Sequence, residues 1–464
     1  MSMMKGFSNA FRIPELRKKI LVTLGLVFVC RLIAQIPTPG VNWVALGELM
    51  DDIRAAQESS GGADLLGWLQ LFTGGAMAQC SVGFLSIWPY ISAQIVIQLL
   101  SSIIPSLQKL RKDGENGRQQ LAQITRYLTI VLCVVQAWTI SSALCSPETL
   151  FGQLGAGKTL VHGGGLGFKL MTVISMTTAS LFVMWVADQI TTFGIGNGAS
   201  LIIMINITSR LPEAAYAAYQ RYFVVSETKN PMGLLVLLVI FLIVVMGTVM
   251  LTQGVRKVAI HSTRRSLVGG ATYGMQQTFM PLRVNYTGVM PIIFAQPLLQ
   301  ILGWLLKWIS GGEGVIGGIA NDLSSPISAL HSFIYALLIV FFTFFWVATQ
   351  FNAIDISENF KRDGSYIPGI RPGLATAEYL DDVMTKITLI GALGLLIVAL
   401  FPTMIIMKGL GVESWAIASF FGGTSLLIIV GVALDTLRIM ESHLLVRKYD
   451  GFLAHGTLRG RRGM

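Results

Sequence analysis

The chain has 464 residues, of which 53% are hydrophobic and only 12% charged, where about 25% charged is usual for a soluble domain. Its net charge is +10, from 34 Lys and Arg against 24 Asp and Glu. This balance excludes a soluble globular fold and leaves an all-α protein that crosses a membrane many times.

Lys5, Arg12, Arg17, Lys18 and Lys19 precede the first apolar run, which lacks a small-residue cleavage site and is one of many. It therefore reads as a retained first span rather than a removed leader. Ten spans follow from hydropathy, at roughly 20–37, 82–104, 122–144, 169–187, 198–213, 232–252, 286–306, 328–350, 387–406 and 414–434. The stretch Leu65–Gln108 holds 44 residues without a charged side chain, long enough for two spans of about 20 residues. Gly74-Gly75, Gln79, Ser81 and Pro89 interrupt it. Irregular backbone at membrane depth is tolerated only where protein covers it or water fills a cavity. The expectation is a short re-entrant helix followed by a full span, both lining something.

The loops after even-numbered spans, with both termini, hold 25 of the 34 Lys and Arg. The positive-inside rule then places both termini in the cytoplasm. Spans one to five and six to ten make two halves, 1–213 and 214–436, followed by a cytoplasmic tail, 437–464. Five spans per half force opposite orientations, so any structural kinship between the halves is an inverted repeat. Among the Lys and Arg, Arg31 alone falls inside a span away from its ends.

Two cytoplasmic loops are unusual. Gln253–Asn285 carries Arg256, Lys257, Arg264, Arg265 and Arg283 and no acidic residue. At about 33 residues it far exceeds the usual 2 to 8 of helical connections, which favours docking of an acidic protein surface or nucleic acid over simple anchoring. The second, Phe351–Lys386, contains Ile367-Pro-Gly-Ile-Arg-Pro-Gly373, whose prolines and glycines set a tight turn that displays Arg371.

Other features point away from chemistry. Gly152-Gln-Leu-Gly-Ala-Gly-Lys-Thr159 matches the phosphate-loop pattern, but no strand pattern precedes it, Gly163-Gly-Gly165 follows, and the topology puts it outside the cytoplasm. The four cysteines lack CxxC spacing and the five histidines are scattered, so no metal site is expected. Asp188 and Asp435 lie at span ends, and no nucleophile, base and acid constellation is visible. Neither catalytic residues nor a cofactor are expected.

The most specific segments are Gly194-Ile-Gly-Asn-Gly-Ala-Ser-Leu-Ile-Ile203, Val284-Asn-Tyr-Thr-Gly-Val-Met-Pro-Ile-Ile-Phe-Ala295 and Phe421-Gly-Gly-Thr-Ser-Leu-Leu-Ile428. To these are added Ile36-Pro-Thr-Pro-Gly40, Trp88-Pro-Tyr-Ile-Ser92 and the Pro-Gly-Ile-Arg-Pro-Gly turn. In order and in topology they resemble the SecY family of bacterial protein-conducting channels over essentially the whole chain. The resemblance implies ten transmembrane helices in two inverted five-helix halves around a central pore, with a re-entrant plug helix at about 65–80. It implies a pore ring of Ile87, Ile91, Ile203, Ile207, Ile293 and Ile428, and a lateral gate between spans two and three and spans seven and eight, with Ser92 and Ile301 along it. Arg256, Lys257, Arg264, Arg265 and Arg371 would dock the ribosome and the motor ATPase SecA. Further implied partners are SecE and SecG, signal peptides and translocating polypeptides, and membrane lipids. The implied location is the bacterial plasma membrane. One departure is Thr252-Gln253, where the family often carries an acidic and a basic residue.

The rival class is an inverted-repeat secondary transporter with broken helices. Coupling to ions usually requires ionisable residues near the midplane, and apart from Arg31 the spans offer none.

Overall fold

The computed structural model describes residues 13–42, 44–49, 74–76, 79–147, 159–161, 163, 165–225, 231–262, 277–310, 314–324, 328–409, 417 and 420–455. The chain divides into two compact units: Met1–Ala55, Leu69–Leu211 and Val432–Met464 in one, Ala56–Trp68 and Pro212–Gly431 in the other.

In the first unit α1 (Pro14–Ile33), α2 (Trp88–Ile103), a short α3 (Pro105–Lys112), α4 (Gly114–Cys145), α5 (Leu166–Phe193) and α6 (Gly198–Thr208) follow one another. α4 packs on α2 and α5, and α5 also receives α1 and α6. The seam on α4 is a column of small or polar residues four apart, Thr125, Thr129, Cys133, Ala137 and Ser141, all buried. Small residues let helices approach closely where the surrounding lipid is as apolar as the side chains. The threonine hydroxyls spend their donors on the preceding turn, Thr125 Oγ1 to the Leu121 carbonyl and Thr129 Oγ1 to the Thr125 carbonyl, each at 2.8 Å. The opposite face carries Tyr127, Val131, Val134, Val135 and Trp138, exposed as a lipid-facing surface would be. At the helix ends Arg126 pairs with Asp188 at 2.8 Å, an anchoring role for that carboxylate.

The second unit holds α7 (Leu211–Tyr219), α8 (Pro231–Gln253), β1 (Val255–Ser262), β2 (Gln277–Arg283), α9 (Met290–Ser310), α10 (Gly314–Ser324), α11 (Ala329–Gln350), α12 (Ala353–Arg362), β3 (Ser365–Tyr366) and α13 (Leu374–Met404). α11 packs on α9 and α13, and α8 on α13. The last helix, α14 (Gly423–His455), begins in this unit and continues in the first.

A helix lies in each of the ten stretches expected from hydropathy, with shifted ends. Among the described residues, six helical stretches are long and apolar enough to cross a membrane, or up to seven if Trp88–Ser101 and Pro105–Arg111, bent by 104°, count as one span. The bend follows from Pro105, which drives Ile104 into the β region at ψ 118°. α4 and α13 begin well before the apolar runs because hydropathy reports membrane depth, whereas a helix continues into water where polar pairs support it. Lys386 and Asp382, one turn apart on α13, pair at 2.7 Å. α2 starts only at Trp88, with Pro89 in its first turn, where a missing N–H costs nothing.

The loop between α8 and α9 contains a hairpin that hydropathy did not foretell. The three strands run β2-β1-β3, all antiparallel, with Arg256 opposite Leu282 and Lys257 opposite Pro281. Val258 and Ile260 alternate inward on β1, as Met280 and Leu282 do on β2. Val284 N–H donates to the Gly254 carbonyl at 2.8 Å, so by alternation the nitrogen of residue 281 faces the free edge of β2. Pro281 sits there without breaking the ladder.

Candidate functional site

The best-defined geometry in the first unit surrounds α6. Its glycine-rich lead, residues 194–198, presses onto neighbouring backbone. A Cβ on Gly198 would run into the Ala187 carbonyl, and one on Gly194 into the Ile190 carbonyl and Thr23 Oγ1. Gly196 has φ +84°, open to glycine without strain. Threonine hydroxyls finish the turn, Ile195 N–H donating to Thr23 Oγ1 at 3.1 Å and Gly198 N–H to Thr191 Oγ1 at 2.9 Å. Asn197 then caps α6 by accepting from Ser200 N–H at 3.2 Å. Gly198→Val is expected to cost on the order of 3 kcal/mol of stability, because the clash is with backbone. Gly167→Val, where a Cβ meets nothing within 4 Å, is expected to be silent. Thermal unfolding of the detergent-purified complex reads both, and equal midpoints would refute the packing account.

Along α6 Ile203 and Ile207 are buried, as are Ile87, at the N-cap of α2, and Ile91 one turn on. Four residues apart, the members of each pair share a helix face. The pairs are joined through polar neighbours, since Asn206 Nδ2 donates to Ser86 Oγ at 3.2 Å. In the second unit Ile293 lies on α9 and Ile428 on α14, both buried. The glycine before Ile428 has a packing reason as well, because a Cβ on Gly423 would enter the Val398 carbonyl. Ser92, half-buried on α2, returns its hydroxyl to the Trp88 carbonyl at 3.1 Å. Ile301 lies on α9. Of the expected plug at 65–80, Gly74, Gly75, Ala76, Gln79 and Cys80 are described, and they form turns. The remainder lies outside the described residues.

Arg31 sits in the last turn of α1, where the negative end of the helix dipole favours a cation. Its guanidinium donates to Asn206 Oδ1 at 3.3 Å and to the Gly74 carbonyl at 3.2 Å. Beyond Asn206 the bonds continue: Ser180 Oγ donates to the Ser86 carbonyl at 2.8 Å, and Cys133 Sγ to Ser180 Oγ at 3.4 Å. Sequence reasoning noticed the embedded arginine and missed its partners. The usable signal was that an intramembrane charge requires a polar partner, and Asn206 is the polar residue set between two expected pore isoleucines.

The basic loops form one lobe. Val258, Leu282, Val347, Phe351, Ala353, Ile367, Ala377, Leu380, Val383, Met384 and Ile387 make a shared core that fastens the hairpin and the Ile367–Gly373 turn to α11, α12 and α13. Arg256 and Lys257 are exposed on β1. In the turn, Ile370 N–H donates to the Ile367 carbonyl at 3.1 Å, with Pro368 second and Gly369 third at φ +83°, a type II β-turn. Arg371 is exposed while its own carbonyl accepts from Thr376 Oγ1 at 2.8 Å, and Ser357 Oγ holds the Gly373 carbonyl at 2.5 Å. A fixed backbone thus presents an exposed side chain. Arg264 and Arg265 lie outside the described residues. Among the described residues no His, Cys, Asp and Glu group could hold a metal ion.

The model of the SecY family matches residues 81–437. The chain is 39% identical over 457 residues to protein translocase subunit SecY of Streptomyces coelicolor, covering 97% of this chain and 100% of that protein. It is 37% identical over 460 residues to protein translocase subunit SecY of Thermotoga maritima, covering 99% and 100%. Among solved structures it is similar to one described as the structure of a protein conducting channel, with TM-score 0.60 over 94% of this chain and 96% of that one. It is also similar to Sec61 in the canine ribosome–channel complex from the endoplasmic reticulum, with TM-score 0.57 over the same shares. Sequence identity to both is 17%, so these two establish the fold. With a family model over residues 81–437 and relatives matched along their full length above 30% identity, this chain belongs to the SecY family.

Proposed function

We infer that the chain is the channel-forming subunit of a protein translocase, a multi-pass membrane protein that conducts unfolded secretory polypeptides and releases hydrophobic segments sideways into the bilayer. The observation that carries this is identity of 37–39% to translocase subunits over nearly the whole chain. Ten helices in two inverted halves enclose the path, in the bacterial plasma membrane with both termini cytoplasmic. The plug at about 65–80 and the ring of Ile87, Ile91, Ile203, Ile207, Ile293 and Ile428 close it. Support comes from the burial of all six isoleucines and from the physics of a narrow aliphatic constriction, which dewets and blocks ions. Ser92 on α2 and Ile301 on α9 line the lateral gate. Arg256, Lys257 and Arg371 dock the ribosome and the motor SecA, and SecE and SecG complete the complex. The subunit itself performs no covalent chemistry; force comes from its partners.

Depletion of the protein from cells tests this reading. Secreted precursors are expected to accumulate uncleaved inside the cell, and multi-span proteins to fail to insert. Continued export together with continued insertion would overturn it.

A further inference from the structure

Gly74 is held more closely than a loop residue needs to be. Its φ is +63°, and a Cβ there would collide with Arg31 Nη1 and stand 3.2 Å from both Cα and Oδ1 of Asn206. The two residues that bond each other are therefore the same two that cradle this glycine. Gly74 lacks a side chain for two reasons: the left-handed backbone and the approach of a guanidinium.

The turn and the chain after it are tethered in different ways. Downstream, residues 80–82 are stitched to the segment after α1: Thr38 Oγ1 donates to the Cys80 carbonyl at 2.6 Å, and Val82 N–H to the Ile36 carbonyl at 2.8 Å. Pro37 and Ser81 form a β-bridge there, and Ser81 N–H returns to the Ala76 carbonyl at 2.9 Å. Those tethers are local and depend on no side-chain charge. The Gly74 carbonyl instead accepts from Arg31, whose other bond is to α6. Asn206 faces both ways at once, Oδ1 receiving Arg31 and Nδ2 donating to Ser86, the residue immediately before Ile87. Asn206 is buried at 5% exposure, so a lost bond there is not readily replaced by water.

We propose that Arg31 and Asn206 form a latch that holds the Gly74 turn closed against α6 and couples its release to the backbone carrying the isoleucine pairs Ile87/Ile91 and Ile203/Ile207. Both are positioning residues. When cargo spreads α2 from α6, the Asn206–Ser86 bond is strained, the amide turns, and Arg31 loses the partner that orients it toward Gly74. The turn then leaves as a consequence of the isoleucines moving apart rather than independently of them. This rests on the channel reading above.

The test uses the assembled complex in vesicles and planar bilayers, reading resting ion conductance and import of a precursor with a weakened signal sequence. Arg31→Gln and Asn206→Leu are each expected to raise resting conductance about tenfold, the scale set by losing a bond to a charged group, and to admit the weakened precursor. The double variant is expected to leak no more than the worse single one, because both remove the same latch. Asn206→Asp separates a latch from ordinary packing. Its carboxylate accepts from Arg31 more strongly, and the Ser86 hydroxyl can reverse to donate to it, so this variant is expected to leak no more than wild type and to import more slowly. A purely structural role would make Asn206→Asp as leaky as Asn206→Leu, and that result overturns the proposal. So does wild-type conductance in Asn206→Leu complexes that retain their partner subunits. If wild-type vesicles import no precursor at all, the channel reading fails instead, which keeps the two failures distinct. Should Arg31→Gln not assemble, the Asn206→Leu and Asn206→Asp pair decides alone.

Discussion

Replacing Ile91 with asparagine is expected to turn the resting channel into an open ion path, with planar-bilayer conductance rising about tenfold or more. A constriction lined by aliphatic side chains keeps ions out because water inside it has too few partners and evaporates from the gap. One amide supplies donors and an acceptor, which lets a water column form and ions follow. Ile91 is 6% exposed and one turn from Ile87, so the change also places an amide beside other buried isoleucines. Ile428→Asn in the other unit, where the isoleucine is 1% exposed, is expected to act alike. Ile91→Val keeps the apolar wall and is expected to stay tight. Unchanged conductance in Ile91→Asn and Ile428→Asn complexes that retain their partner subunits would remove these residues from the ring.

Reversing the charge at Arg371 is the second large effect. The Ile367–Gly373 turn takes its shape from backbone bonds and from the hydroxyls of Thr376 and Ser357, none of which involves the guanidinium. Arg371→Glu is therefore expected to leave the lobe folded and the subunit inserted. A like-charge juxtaposition at an interface costs several kcal/mol, so motor-driven export is expected to fall by about a hundredfold. Arg256→Glu or Lys257→Glu should act more weakly, since exposed strand charges chiefly set association rate, and with stronger dependence on salt. Precursor import into vesicles with purified motor measures all three, and retained import by Arg371→Glu would sink the docking role.

Much of the architecture was legible from composition and hydropathy, because lipid imposes one rule, a long apolar helix, and six or seven of the described helical stretches obey it. What hydropathy does not report is where such a helix stops in water, hence the early starts of α4 and α13. The hairpin left a short trace in the alternation of Val258 with Ile260 and of Met280 with Leu282, diluted by the basic residues between. Arg31 announced that it needed company. That the company would be Asn206, 175 residues away, and the carbonyl of Gly74 is a fact of packing between α1 and α6, which no local pattern encodes. The isoleucines are the hardest case, since an isoleucine in a span reads the same whether it faces lipid, another helix or a pore.

The placement of Pro281 carries a consequence for a protein that handles extended chains all its working life. A sheet edge with free donors and acceptors can recruit a passing strand and grow by it, and an unfolded polypeptide passing the lobe would supply such strands. On β2 one of the nitrogens facing that edge, between those of Phe279 and Arg283, belongs to a proline and has no hydrogen to give, while β3 at the other edge is only two residues long. An interrupted row of donors on one edge and a two-residue strand on the other make this sheet a poor template for a passing extended chain.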